Sequence, residues 1–236
     1  MTALVGVLLY LAGGQLSPIE TLNNALMDAE PIPSMRAAFR ASITSAGAVR
    51  EIEYDPLKPP SRRFRISRRV GEDEELDAIV DDWAREAQPD VRLFADDLRS
   101  SLGQGEIVQT ATGWTVAFQH KLSSNDGPVD AILSQSMVGG LTLDAQTGNL
   151  SRLEYSINTP FKTPEGAWVD TYRQVYNFGR STQWAVTFVT GYDVYASGGR
   201  FGMKDERSFA VRVTDVAFSL AGDARQELES KIYPSH

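Results

Sequence analysis

The feature that most constrains this chain is a succession of long antiparallel strand patterns between residues 141 and 220. In residues 149–158 (NLSRLEYSIN), Leu153, Tyr155 and Ile157 alternate with polar residues. A period of two marks a strand that turns one face toward an apolar interior. No residue of this region belongs to a recognisable catalytic motif. The pattern therefore predicts a class of fold and leaves function to other features of the chain.

Size and composition limit what the chain can be. Its 236 residues, 42% of them hydrophobic, are enough for one large β-rich domain with a proper core. The net charge of -8 argues against a primary nucleic-acid binder, which needs a basic face to neutralise phosphates. There is no cysteine. Disulfides, thiolate metal sites, a cysteine nucleophile and an N-terminal lipoprotein anchor are thereby excluded.

The N-terminus predicts export. Residues 3–12 (ALVGVLLYLA) form an unbroken apolar segment that is too short to span a bilayer. Ala12 and Gly14 then stand where a signal-peptide cleavage site before Gln15 requires small residues. No Lys or Arg precedes Glu20, so the basic start of a signal peptide is missing. Two explanations stay open: the given start is internal to a longer leader, or the segment is a buried helix. We expect residues 1–14 to be a signal peptide, residues 15–236 to form a single exported domain, and the protein not to insert stably in a membrane.

Helical patterns interrupt the strands. Residues 17–29 begin with Ser17 as N-cap, Pro18 in the first turn and Glu20 in place for a capping box. Residues 72–88 and 90–102 carry apolar residues at helical spacing on either side of Pro89, which predicts a helical hairpin inserted into a β protein. The many acids of residues 72–88 are spread around the polar face, which is typical of a solvated surface rather than of a metal site.

The remaining segments read as strands and turns. Strand patterns cover residues 35–44, 48–55, 62–67, 106–110, 113–121, 138–144, 168–178, 183–195 and 205–220. Residues 144–148 (DAQTG) predict a hairpin, residues 159–166 a turn, residues 197–202 (SGGRFG) a hairpin loop, and residues 223–232 a last short helix. The predicted fold class is α+β and mostly antiparallel, with a curved sheet or half-open β-barrel and the helical hairpin as a lid.

A search for reactive groups finds no constellation that carries a reaction. His236 is the last residue, and His120 is in phase with core residues, as a hydrogen-bonded core histidine would be. There is no G-x-S-x-G elbow, Walker loop or histidine-rich spacing. We expect no catalytic residue, no metal and no cofactor. Asp170 shares a strand face with Trp168 and Tyr172, which keeps a carbohydrate-binding or carbohydrate-active β-sandwich open as an alternative.

The apolar faces of the sheet and of the hairpin either pack into a solid core or line a pocket between them. For the second case we expect a ligand cavity lined by the following sheet residues: Phe39, Ile43, Phe64, Ile66, Trp114, Val116, Phe118, Leu153, Tyr155, Ile157, Trp184, Val186 and Phe188. The lid would supply Leu76, Ile79, Val80, Trp83, Phe94 and Leu98. Arg62, Arg63 and Arg65 would form a polar rim, although arginines on such a strand also serve as a solvated edge that resists aggregation or as a contact for phosphate or an acidic partner.

The order of these elements resembles the periplasmic lipoprotein-carrier superfamily (LolA/LolB-like). The resemblance lies in a leader, a short helix, the segment MRAAFRASITSAGAVREIEYDPLKPPSRRFRI and a β-meander interrupted by helices. It implies an unclosed β-barrel that is lidded by helices and carries acyl chains, with Arg62, Arg63 or Arg65 in the place of the family's functional strand arginine. The acidic helical insertion at residues 72–102 departs from the family pattern, in which strands continue.

The sequence thus predicts a non-enzymatic, monomeric carrier of an apolar or lipid-like ligand in the cell envelope, with envelope transport proteins as partners. Two alternatives stay open. One is the carbohydrate-binding sandwich, and the other is a structural envelope protein with a solid core.

Overall fold

The computed structural model describes most of the chain between Ser17 and Ala221. The described residues are 17–95, 98–110, 113–122, 131, 132, 134, 136–157, 159–163, 166–200 and 202–221. The expected signal peptide, the last short helix and the loop at residues 123–128 lie outside them.

The described secondary structure consists of short helices and long strands. The helices are α1 (Pro18–Ala29), α2 (Glu74–Arg85) and α3 (Leu98–Ser101), with 3-10 turns at Pro60–Arg62 and Pro89–Leu93. The strands are β1 (Met35–Ser45), β2 (Ala48–Tyr54), β3 (Phe64–Val70), β4 (Leu102–Thr110), β5 (Gly113–His120), β6 (Met137–Asp144), β7 (Leu150–Ile157), β8 (Phe161–Lys162), β9 (Trp168–Ser181), β10 (Val186–Arg200) and β11 (Met203–Leu220).

All described strands belong to one antiparallel sheet. The order across the sheet is β3-β2-β1-β11-β10-β9-β7-β6-β5-β4, with β8 paired to β9 outside this path. The two edges, β3 and β4, do not pair with each other within the described residues, so the sheet is open and curved rather than closed into a barrel. The predicted fold class is confirmed.

Local sequence signals explain the first elements. The Ser17 hydroxyl accepts from the Glu20 amide (3.3 Å), and the Glu20 carboxylate accepts from the Ser17 amide (2.8 Å), which completes the predicted capping box. β1 and β2 alternate buried and partly exposed residues along their length, as a half-buried hairpin should. Gly47 closes the turn between them at φ +94°, a conformation that other residues rarely adopt.

The helical hairpin is shorter than predicted on its second side. α2 forms as expected, with Asp73 accepting from the Leu76 amide at 2.9 Å as N-cap. In place of one helix over residues 90–102, the chain makes the 3-10 turn at Pro89–Leu93 and the single turn of α3, and β4 already begins at Leu102. We call residues 89–95 and 98–101 the cover segment.

Asp90 fixes the start of the cover segment against the sheet. β2 pairs with β1 only from Phe39 onward, which leaves the Ala37 amide without a strand neighbour on that side. Asp90, only 1% exposed, accepts from this amide at 3.0 Å. A buried backbone donor must find an acceptor, and here the carboxylate takes the place of a strand.

Two further predictions are corrected around β10. The strand begins at Val186, because residues 182–185 form a turn in which Ala185 has φ 45°. Trp184 therefore lies in a turn and not on the strand. Gly198 and Gly199, predicted as loop, belong to β10, and the Trp168 ring lies so close over Gly199 that an added Cβ would meet it at 2.4 Å.

Candidate functional site

The helices divide the inner face of the sheet into two hydrophobic clusters. The first cluster joins α2 to β1, β2, β10 and β11 and has Trp83, Ile43 and Ile52 at its centre. The second joins α1 and α3 to β5, β6 and β7 and includes Leu26, Leu98 and Leu141. The sheet is thus covered near its two ends by different helices.

A cavity lies where the two clusters meet. Tyr176 and Phe178 on β9 pack against both clusters, and both line this cavity, which has a volume of about 490 Å³. The cover segment contributes Phe94, Ala95 and Leu98 to its wall. Its other apolar lining residues are Met137, Leu153, Tyr155, Val189, Tyr192 and Phe209. We call this space the inner cavity.

A ladder of polar side chains crosses the wall of the inner cavity along β9. The Tyr172 hydroxyl donates to Gln174 Oε1 at 2.7 Å, and Gln174 Nε2 donates to the Tyr176 hydroxyl at 2.5 Å. The three residues lie two apart on one strand and therefore share one face. Gln174 has one further amide hydrogen and one further lone pair beyond these two bonds. The ladder thus offers a donor and an acceptor within an aromatic wall.

His120 and Arg92 lie at other points of the same wall. The His120 ring meets the Tyr155 ring edge-on at 5.3 Å between centroids. Arg92 lies 5.2 Å from the centre of the Trp83 ring and its Nε donates to Glu86 Oε1 at 2.8 Å, so its charge is compensated. Burial raises the pKa of Tyr192 to about 12, partly opposed by the charge of Arg92. Tyr192 therefore presents a neutral hydroxyl group at any physiological pH.

The expected cavity residues fall into separate places. Leu153 and Tyr155 line the inner cavity. Phe39 and Ile43 are buried in the first cluster with Phe64 packed against them, whereas Val116 and Phe118 are buried in the second with Trp114 against them. Val186 is buried and Ile157 is half-buried. Trp184 and Phe188 both contact Phe218. Ile66 is 37% exposed and therefore lines neither cluster. Helices α1 and α2 cover much of the face that the sequence pattern left open.

The expected lid residues also separate. Leu76, Val80 and Trp83 are buried in the first cluster, and Ile79 packs against it, so α2 is part of the core. Phe94 and Leu98, which belong to the cover segment, are the two that line the inner cavity. The part of the hairpin that bounds the cavity is therefore the cover segment.

The three rim arginines lie away from the inner cavity. Arg62, Arg63 and Arg65 line a different pocket, beside β2 and β3. A fully buried arginine that sequence reasoning missed, Arg50, faces α2 instead. It is in phase with Ile52 and Tyr54 on β2, and this phase was the available signal that it points inward.

Arg50 ties α2 to the sheet. Its side chain is fully buried, its Nε donates to Asp77 Oδ1 at 2.6 Å, and its Nη1 donates to the carbonyl groups of Val49 (2.9 Å) and Val70 (2.8 Å). The hydrogen bond from Arg50 holds the pKa of Asp77 below its ordinary value, and the charge of Arg69 adds to this effect. Asp77 therefore stays ionised, and the bond is charge-assisted on both sides.

The Asp170 carboxylate accepts a hydrogen bond from Trp168, its neighbour on the same strand face. The Trp168 indole donates to Asp170 Oδ2 at 3.2 Å, and the Trp168 ring is packed over Gly199. Within the described ranges, no three residues among His, Cys, Asp and Glu come together in a way that could hold a metal ion. No helix in the described part of the chain is both long enough and apolar enough to cross a membrane.

Comparison with known proteins gives distant likenesses only. No family model matches the chain, and no curated protein matches it. A LolA superfamily protein from Nitrosomonas europaea is similar at 10% identity with a TM-score of 0.37, over 89% of this chain and 96% of that one. MucB in a complex with MucA(peri) is similar at 12% identity with a TM-score of 0.21, over 87% of this chain and 100% of that one. These similarities are too low to assign this chain to the family of either protein.

Proposed function

We propose that this chain is a non-enzymatic carrier or binder of a lipid-like ligand, which it holds in the inner cavity. The observation that supports this proposal is an aromatic-lined space of about 490 Å³ at the junction of two hydrophobic clusters. Ligand sites in proteins commonly have volumes of about 300–1,000 Å³, an apolar lining and a few convergent polar groups. We further propose that residues 15–236 form one monomeric domain that is exported to the periplasm and exchanges its ligand with envelope transport proteins.

The physical basis of binding is the burial of apolar chain. Each methylene group that leaves water for an apolar wall contributes about 0.8 kcal/mol. Gln174, held between Tyr172 and Tyr176, would bind the polar end of the ligand, since its remaining amide hydrogen and lone pair would otherwise be left facing an apolar chain. Entry and exit would proceed past Phe94 and Ala95, the half-buried middle of the cover segment. The start of the cover segment is held by Asp90, and α2 is held by Trp83 and by the bond between Arg50 and Asp77.

The test is a substitution that fills the cavity. Ala95 lines the cavity and is half-buried, so Ala95→Trp places an indole in the space that the ligand would occupy. Loss of contact with only two methylene groups costs about 1.6 kcal/mol, which is more than tenfold in affinity. The matched control is Ala217→Trp, at an exposed position on β11.

The measurement is the binding of an apolar fluorophore and its displacement by long-chain acyl compounds. We expect the wild-type protein and Ala217→Trp to bind and release the probe alike, and Ala95→Trp to bind it at least tenfold more weakly. Equal binding by all three proteins would show that the probe binds elsewhere. Displacement by soluble sugars but not by acyl compounds would replace the proposal with the carbohydrate-binding alternative.

A further inference from the structure

A second pocket, of about 440 Å³, lies beside β1, β2 and β3 and has a strongly charged lining. Its cationic residues are Arg40, Lys58, Arg62, Arg63 and Arg65. Its carboxylates are Glu53, Asp55 and Asp215. The lining therefore has an excess of two positive charges in a chain whose net charge is -8. We call this space the outer pocket.

The floor of the outer pocket is a row of charges across three strands. Arg40 on β1 is opposite Glu53 on β2, which in turn is opposite Arg65 on β3. Glu53 accepts from Arg65 Nη2 at 2.6 Å and lies 3.6 Å from Arg40 Nε. Asp215, held at φ 54° in the bulge of β11, approaches Arg40 Nη1 at 3.3 Å. Cross-strand pairs of opposite charge hold this floor together.

The wall of the outer pocket is the loop between β2 and β3. Asp55 approaches Lys58 Nζ at 3.4 Å and also accepts from the Leu57 amide at 3.0 Å. Arg63 is half-buried, and its Nε donates to the Lys58 carbonyl at 2.9 Å, which orients its guanidinium group. The 3-10 turn at Pro60–Arg62 carries Arg62 on the rim.

The three carboxylates of the outer pocket pair with three of its five cationic residues. Glu53, Asp55 and Asp215 each pair with Arg40, Lys58 or Arg65. In the part of the chain that the structure describes, neither Arg62 nor Arg63 forms an ion pair with a carboxylate. The outer pocket therefore presents two guanidinium groups whose charge is not balanced locally.

We propose that the outer pocket binds a phosphate group. A guanidinium group donates two parallel hydrogen bonds to the oxygens of a phosphate, and a pocket lined by two such groups suits a tetrahedral anion that has several acceptor oxygens. The site is separate from the inner cavity, with which it shares no lining residue. Binding there would bring a phosphate-bearing molecule to the edge of the sheet without involving the lipid-like ligand.

The experiment compares two sources of phosphate on the full-length protein. Binding of inorganic phosphate is followed through the arginine Nε–H resonances in NMR spectra. Binding to a lipid headgroup is measured by co-sedimentation of the protein with phosphatidylcholine vesicles, prepared with or without phosphatidylglycerol. The test variants are Arg62→Gln and the charge-conserving Arg62→Lys, at an exposed position. The control is Arg68→Gln, which removes the same charge from β3 outside the outer pocket, where Arg68 pairs with Glu51 at 3.0 Å.

We expect phosphate to shift the resonances of Arg62 and Arg63, and Arg62→Gln to weaken binding about tenfold, which corresponds to the loss of one charge-assisted contact. Arg62→Lys should weaken phosphate binding less than Arg62→Gln does, and Arg68→Gln should bind phosphate as tightly as the wild-type protein. Binding to phosphatidylglycerol vesicles but not to free phosphate, with the same order of variants, would identify a lipid headgroup as the source. Absence of binding to both probes, or equal losses in Arg62→Gln and Arg68→Gln, would overturn the proposal.

Discussion

The packing of Phe118 over Gly139 permits a sharp test of the inner face. Gly139 on β6 is opposite Phe118 on β5, and a Cβ added to it would lie 2.2–2.6 Å from three atoms of the Phe118 ring. Carbon atoms in contact prefer a separation of about 3.5–4.0 Å, so the ring would have to move by roughly 1 Å. Phe118 is only 4% exposed and meets the Tyr155 ring edge-on at 6.0 Å, which leaves it little room.

We therefore expect Gly139→Ala to lower the free energy of unfolding by about 1–3 kcal/mol, the usual cost of overpacking. For a chain of this size that corresponds to a fall of about 2–12 °C in the melting temperature. The matched control is the next residue. A Cβ on Gly140 meets nothing within 4 Å, so Gly140→Ala should be neutral or stabilise the protein by up to about 1 kcal/mol.

Urea unfolding followed by tryptophan fluorescence measures both variants. The double variant Gly139→Ala/Phe118→Leu separates this clash from a general loss of stability, because a smaller side chain leaves room for the new methyl group. The two substitutions should couple favourably by about 1 kcal/mol or more. If Gly139→Ala is as stable as Gly140→Ala, the account of how β5 and β6 pack on the inner face is wrong.

Three further predictions concern buried groups. Trp83→Ala should cost about 3–5 kcal/mol in urea unfolding, because Trp83 is 1% exposed and anchors α2; a cost below about 1 kcal/mol would mean that α2 does not pack as described. Asp90→Ala should lower the free energy of unfolding by about 1–3 kcal/mol, and Asp90→Asn should lower it less, since asparagine keeps an acceptor for the Ala37 amide. Equal losses in the two variants would refute the role of Asp90 as that acceptor. Because burial raises the pKa of Tyr192 to about 12, the folded protein holds this proton more tightly than the unfolded chain, and stability should fall as pH rises above the ordinary tyrosine value of 10.0. Tyr192→Phe should reduce this fall in alkaline urea titrations, and an unchanged slope would contradict the assignment.

Much of the fold follows from local patterns in the sequence. The capping box of Ser17 and Glu20 marks the start of α1, and the alternation of Phe39, Ala41 and Ile43 gives both β1 and its buried face. The hairpin between β6 and β7 was predicted from residues 144–148, and the Asp144 side chain accepts from the Thr147 amide there at 2.8 Å. These features depend on residues a few positions apart, which is the range over which sequence patterns are informative.

The site was harder to predict because it depends on long-range contacts and on irregularities in the strands. The turn at Ala185 and the bulge between Val189 and Gly191 change which residues of β10 face inward, and no local signal marked either. Arg50 had the phase of a buried residue, but its partner Asp77 belongs to a helix that is distant in sequence. Some inward-facing residues are covered by α1 and α2, and others face the inner cavity. Only the three-dimensional arrangement distinguishes the two groups.

The most direct test of the proposed carrier function is native mass spectrometry of protein purified without detergent, followed by solvent extraction and lipid analysis. The account predicts a discrete additional mass that extracts as lipid and that is reduced in Ala95→Trp, because the indole occupies the inner cavity. A mass equal to that of the bare chain, together with no displaceable binding of an apolar fluorophore, would contradict the claim that the inner cavity is a ligand site.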